Sequence, residues 1–194
     1  FIGATGMWVH SMITLSSVLV SVLICFVIGV PLGVIASYNK WYRDIQNVVL
    51  DAMQTLPYFC YLIPVLMFFG GNIVSAVIAT VIYSVPPIIR LTALGLSQVS
   101  GSYSEVSKSF GGTGIQTLNK VKFPLAVPSL VMGFNQTVIM AFAMQIVTPL
   151  IGGKGLGLQV FNALQRSDTG RGLSAGLAIV CLLYTSPSPR DLST

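Results

Sequence analysis

Charge is what this chain has least of. Asp, Glu, Lys and Arg make up 8% of its residues against 54% hydrophobic, and the mean hydropathy is +0.83. An ordinary soluble domain is about a quarter charged, so this composition excludes one and points to a polytopic membrane protein. Histidine occurs once, at His10, and the three cysteines, Cys25, Cys60 and Cys181, lie far apart. No metal-ligand spacing and no disulfide framework can be built from them. Paired catalytic carboxylates and a nucleophile–base constellation are missing too, which argues against an enzyme. The one Gly-Lys pair is no phosphate loop, because Lys154 is followed by Gly155 where Ser or Thr would hold magnesium. Energy for any work must come from another subunit or from a gradient. The net charge of +5 comes without a basic cluster interleaved with aromatics, so it reads as positive-inside bias and not as nucleic-acid binding.

What is there is long uncharged runs. Ser11 to Tyr38 carries no charge, more than the roughly 20 residues a crossing needs. Gly29, Pro31 and Gly33 fall in its second half, as breakers that membrane helices tolerate. Lys40 and Arg43 follow, with Trp41 and Tyr42 as interface anchors. Ala52 to Ile89 is too long for one crossing, and Gly70-Gly71-Asn72 divides it. The spacing predicts helices over about 47–69, kinked at Pro57 and Pro64, and 73–98, kinked at Pro86-Pro87, with Arg90 snorkelling near its end. Leu125 to Gly153 predicts a fourth helix. It holds Asn135, Gln136 and Gln145, whose amides face protein or water at that depth. Helix–helix hydrogen bonding and the lining of a solute path are the two readings for them. A glycine-rich stretch, IGGKGLG (151–157), leads into a short amphipathic helix with Leu158, Val160, Phe161 and Leu164.

The last apolar run, Gly172 to Tyr184, would be a helix of roughly 20 Å against a hydrocarbon core of about 30 Å. The fold class expected is therefore all-α and polytopic, about five transmembrane helices with the last one truncated. The chain opens in mid-pattern at Phe1, so its N-terminus reads as incomplete. Residues 181–194 read as a non-native tail, since CLLYTSPSPRD looks like translated library adapter. With the 39–46 and 99–124 loops in the cytoplasm, six cations (Lys40, Arg43, Arg90, Lys108, Lys120, Lys122) lie inside. Three (Lys154, Arg166, Arg171) lie outside. That bias predicts an outer N-terminus.

The longest polar interval is Ser102 to Pro124, SYSEVSKSFGGTGIQTLNKVKFP. Ser102 and Glu105 have capping-box spacing. Val106 and Phe110 share one face, Gly111-Gly112 ends the helix, and Ile115, Leu118 and Val121 form a second apolar stripe before Pro124 forces a new start. Glu105, Gly111, Val121 and Phe123-Pro124 in this order resemble the cytoplasmic EAA loop of ABC-type importer permeases. Val106 and Ser107 stand at the motif's alanines and Phe123 at its leucine. YLIPVLMFFG (61–70), PPIIRLTALGLSQV (86–99), IGGKGLG and LQRSDTGRGLSAGLAIV (164–180) resemble the glycine betaine/proline branch of that family. The resemblance covers residues 1–180 as one transmembrane domain and implies a methionine-importer-like permease fold.

It further implies that Glu105, Val106, Ser107, Gly111, Val121 and Pro124 form the coupling loop for a separate ABC ATPase, which binds the ATP and magnesium. An extracytoplasmic solute-binding protein, a second permease copy in a homodimer and the prokaryotic inner or plasma membrane complete what it implies. The solute class is glycine betaine, proline betaine or a related compatible solute. Tyr58, Phe59 and Tyr61 then either meet a quaternary ammonium in transit or simply pack. The competing reading is a gradient-driven transporter or channel with no ATPase, which would want an intramembrane ionisable group. The spans offer only Asp51 and Arg90, near helix ends.

Overall fold

The computed structural model describes residues 6–184, without the side chains of Ser104 and Lys108. The opening at Phe1 and residues 185–194 of the expected tail lie outside that range. All regular structure among the described residues is helical. Helix α1 (Trp8–Tyr38) runs unbroken through Gly29, Pro31 and Gly33. Asn39 ends it and starts α2 (Lys40–Thr55), its side-chain oxygen accepting the Tyr42 N–H at 3.3 Å.

The helix expected over 47–69 is instead two. Helix α2 stops at Thr55, α3 runs Phe59–Phe69, and their axes differ by 93°. Proline is the reason. Pro57 lacks an N–H and drives the residue before it out of the helical region, and Leu56 is extended at φ −70°, ψ 131°. Pro64, by contrast, is carried within α3. Gly70 at φ +72° and the Asn72 cap then turn the chain, as the sequence indicates, into α4 (Ile73–Gln98).

Helix α4 is the centre of the bundle, with α1 on one side and α7 (Phe123–Met144) on the other. Pro86 and Pro87 are buried inside it without ending it. Its buried hydroxyls bond their own helix: Thr80 donates to the Ala76 carbonyl at 2.8 Å and Ser84 to that of Thr80 at 2.6 Å. Small and polar groups thus sit inside, while Leu19, Leu23, Val27 and Phe68 face outward. That suits a solvent of lipid tails, where close packing and hydrogen bonds hold helices together.

Helix α5 (Gly101–Ser109) and α6 (Gly114–Thr117) form the polar interval, and a π-helical turn (Leu118–Lys122) joins α6 to α7. Pro124 therefore does not begin a separate helix. It sits in the first turn of α7, where the wider turn before it accommodates the missing N–H. Helix α7 ends at Met144, short of the expected Gly153. A tight 3-10 turn (Thr148–Ile151) containing Pro149 replaces its last part. Helices α8 (Leu156–Gln165) and α9 (Thr169–Tyr184) close the bundle, packing Leu156, Ala175 and Ile179 with Val18, Val22 and Phe142.

Among the described residues three helical stretches are long and apolar enough to cross a membrane: α1, α4 and the run Gly114–Met144. The bent α2–α3 pair makes a fourth if it counts as one span. Helix α9, with 16 residues, reaches about 24 Å.

Candidate functional site: the loop between α4 and α7

Because α4 and α7 are neighbours in the bundle, the segment joining them projects from one end as a compact helical hairpin. The helix start lies earlier than Ser102. Ser100 caps α5, its carbonyl accepting from Tyr103 N–H at 3.2 Å and its Oγ from Ser102 N–H at 3.3 Å. The capping box is at Thr113 and Gln116, whose side chains each bond the other's backbone N–H. Their spacing, Thr-x-x-Gln, was readable in the sequence.

Gly111 does stop α5. It takes φ +78°, and Gly112 N–H reaches back to the Ser107 carbonyl at 2.9 Å, the longer bond of a Schellman ending. A side chain on Gly112 would collide with that carbonyl, 2.7 Å from where its Cβ would be. One on Gly111 would meet nothing within 4 Å. Gly111 is therefore required for its dihedral, and Gly112 for closeness.

Ser107 fastens the two helices, its Oγ lying 2.8 Å from Thr117 Oγ1. Thr117 gives its own proton to the Thr113 carbonyl at 3.1 Å, which leaves Ser107 as donor. Removing that hydroxyl with Ser107→Ala should cost about 1 kcal/mol of loop stability. Amide hydrogen exchange over residues 111–117 should then rise about fivefold; unchanged exchange would refute the clasp.

The apolar residues divide by destination. Leu118 and Phe123 pack inward on Leu96, Ala126 and Leu130. Val106 (54% exposed), Phe110 (87%) and Ile115 (74%) face out, so Ile115, Leu118 and Val121 do not form one stripe. Glu105 is exposed beside them, Val121 is half-buried and Pro124 exposed. Lys122 holds its ammonium 5.0 Å above the Tyr38 ring, tying the hairpin to the end of α1.

The three amides do not converge. Asn135 is half-buried in the wall of an open cavity of about 400 Å³ with Phe26, Phe123 and Phe134, and its amide atoms have no partner among the described residues. Gln136, one position on, is exposed. Gln145 is buried at the end of α7, its carbonyl accepting from Thr148 Oγ1 at 3.2 Å.

At the far end of the bundle the IGGKGLG segment is a packing turn. Gly155 takes φ +105° against Thr14, whose hydroxyl accepts the Leu156 N–H at 2.8 Å. The Tyr58 and Phe59 rings meet at a 45° tilt with centroids 4.7 Å apart, and Tyr61 packs edge-on to Tyr83 at 6.3 Å. Among the described residues no cluster of His, Cys, Asp and Glu could hold a metal.

Known proteins share this arrangement. A permease of the MetNI methionine ABC transporter, in an inward-facing conformation, superposes with a TM-score of 0.79 over 89% of this chain and 87% of that one. At 23% identity this establishes the fold. The glycine betaine transport system permease protein OpuAB of Bacillus subtilis (strain 168) is 42% identical over 93% of this chain and 64% of its own length. The glycine betaine/proline betaine transport system permease protein ProW of Escherichia coli (strain K12) is 44% identical over 93% of this chain and 51% of its own. The chain thus spans about half to two thirds of these relatives. It covers 79% of the osmoprotectant import permease protein OsmW of Salmonella typhimurium, at 33% identity. The family model of the binding-protein-dependent transport system inner membrane component matches residues 29–187, and this chain belongs to that family.

Proposed function

We propose that this chain is the membrane subunit of an ATP-driven importer of glycine betaine or a similar compatible solute, in a prokaryotic inner or plasma membrane. The observation that carries the coupling role is the hairpin at the end of the bundle. Val106, Phe110 and Ile115 are open to solvent there beside Glu105. Apolar groups grouped on a polar, hydrogen-bonded hairpin mark a surface for another protein. An ABC ATPase is the partner proposed, binding the ATP and magnesium itself. A second permease copy and a solute-binding protein complete the assembly. The names of OpuAB, ProW and OsmW support the solute class.

Force on the hairpin passes without slack into the two central helices. Helix α5 follows α4 after a two-residue break, α6 runs through the π turn into α7, and the Ser107–Thr117 bond joins the halves. Closure of the ATPases would therefore swing α4 and α7 together, a rigid-body route to alternating access. Charge supports a hairpin end inside: Lys40, Arg43, Lys120 and Lys122 belong to it, and Lys154 to the other.

The test is reconstitution in liposomes with the neighbouring ATPase and binding protein. Glycine betaine should stimulate ATP hydrolysis and accumulate in the lumen. Failure of the chain to form a stable complex with the ATPase would sink this reading in favour of a gradient-driven carrier.

A further inference from the structure

The broken span leaves an ion pair at a depth where lipid does not tolerate one. Arg90 Nη2 donates to Asp51 Oδ1 at 2.6 Å, joining α2 to α4. Arg90 stands eight residues before the end of α4, about 12 Å along its axis. A 26-residue helix is about 39 Å long and overhangs a 30 Å core by some 4–5 Å at each end. With α4 upright and centred on that core, the Arg90 backbone would lie about 7 Å inside the hydrocarbon layer. An arginine can snorkel from there, but an aspartate, on one methylene, cannot. Yet neither is enclosed: the side chains are 38% and 63% exposed. Charges at that depth with an open face border water or protein, not lipid.

Two tyrosines stand deeper in the span than this open pair, Tyr83 by about 10 Å along α4. Tyr83 precedes Arg90 by seven residues, two turns earlier on the same face of α4. Tyr61 meets the Tyr83 ring edge-on, and its hydroxyl donates to the carbonyl of Met53, two residues from Asp51. The pairing itself is incomplete. One guanidinium N–H meets one carboxylate oxygen, and the buried Arg90 Nε has no acceptor among the described residues.

Resting on the importer reading above, we propose that Asp51 and Arg90 form a transit site for a zwitterion. The solute's carboxylate takes Arg90 and its cationic head takes Asp51. The two residues close on each other once it leaves, so neither charge stands alone in an empty path. The site discriminates for solutes carrying both charges.

The experiment uses the whole assembly in proteoliposomes, permease, ATPase and binding protein together, and compares uptake with hydrolysis. Asp51→Asn and Arg90→Gln should each lower the maximal rate of glycine betaine uptake by about tenfold or more, because each leaves one solute charge unmatched. KM should hardly move, and hydrolysis triggered by the loaded binding protein should stay within about twofold of the parent. Single variants that import at the parent rate would overturn the proposal.

The pair Asp51→Leu with Arg90→Met separates transit from mere fastening, since apolar pairs replace structural ion pairs well. Uptake should remain about tenfold down in that assembly; recovery to within about threefold of the parent would overturn the transit site. The same double variant decides the matter if a single one fails to assemble. A parent assembly that imports betaine while its variants are unaffected refutes this site alone. A parent that imports only solutes without a carboxylate refutes the substrate reading with it.

Discussion

Replacing Gly111 by Asp should leave the protein in the membrane and abolish coupled import. Position 111 has open space around it, so no side chain there clashes with the fold. What the substitution meets is a backbone at φ +78°, where a non-glycine residue is strained by about 1–2 kcal/mol. The cheapest relief is to undo the ending of α5 and let Gly112 move off the Ser107 carbonyl, which it now bonds at 2.9 Å. That reorients Val106 and Phe110 relative to Ile115, the three exposed apolar residues of the hairpin. It also sets a carboxylate among them, which any apolar groove on a partner would have to desolvate.

The expected result is uptake down by about a hundredfold, the equivalent of about 2.7 kcal/mol of lost coupling. Membrane insertion should be unchanged, and hydrolysis should no longer respond to solute. Gly111→Asn is the control for charge, because asparagine takes the left-handed conformation about as readily as aspartate and adds no carboxylate; it should lose distinctly less activity. Normal import by the Asp variant would remove Gly111, and with it Glu105, Ser107 and Pro124, from the coupling role.

The parts of this molecule legible in the sequence are those governed by composition along the chain. Uncharged runs located α1, α4 and α7, because lipid forbids charge over about 30 Å whatever the tertiary contacts. Gly70-Gly71-Asn72 and Gly111-Gly112 marked real turns, since only glycine takes those dihedrals cheaply. What was not legible depends on geometry between helices. Pro57 breaks its helix by 93° while Pro31, Pro64, Pro86 and Pro87 do not, and neighbouring packing decides which.

The three amides could not be told apart in the sequence for the same reason. Asn135, Gln136 and Gln145 share one apolar run, but the first is half-buried, the second exposed and the third buried at a helix end. Asp51 and Arg90 are 39 positions apart, and nothing in the sequence says that they touch. The hairpin was clearer because its contacts are local: Ser107 to Gly112, Ser107 to Thr117, Thr113 to Gln116.

Gly29 and Gly33 were legible only as helix breakers, and their use in the fold leads to the other large effect expected. Four residues apart on α1, they form a small-xxx-small stripe against α4. The two positions are not equivalent. A Cβ on Gly29 would lie 2.4 Å from Ile88 Cγ2, a methyl fixed on the β-carbon of a buried side chain, but would meet no backbone atom of α4. A Cβ on Gly33 would lie 2.6 Å from Thr92 Cβ and 2.8 Å from the Ile89 carbonyl oxygen, neither of which can move without the helix. Gly33→Val should therefore push α1 off α4 and cost about 3 kcal/mol or more, the upper range for overpacking. Gly29→Ala, which adds one methyl and no backbone clash, should cost less, about 1–2 kcal/mol.

Denaturant titration of the purified permease in mild detergent reads the difference directly, as a lower midpoint for Gly33→Val at unchanged slope. Because α4 also packs on α7 through Gly95 and Gly133, a displaced α4 disturbs the hairpin that hangs from both. On the docking proposed above, Gly33→Val should thus also weaken ATPase binding, with no residue of the hairpin altered. Equal midpoints for the two variants would show that the α1–α4 contact has slack, and α4 could then not act as the rigid centre through which the hairpin moves the path.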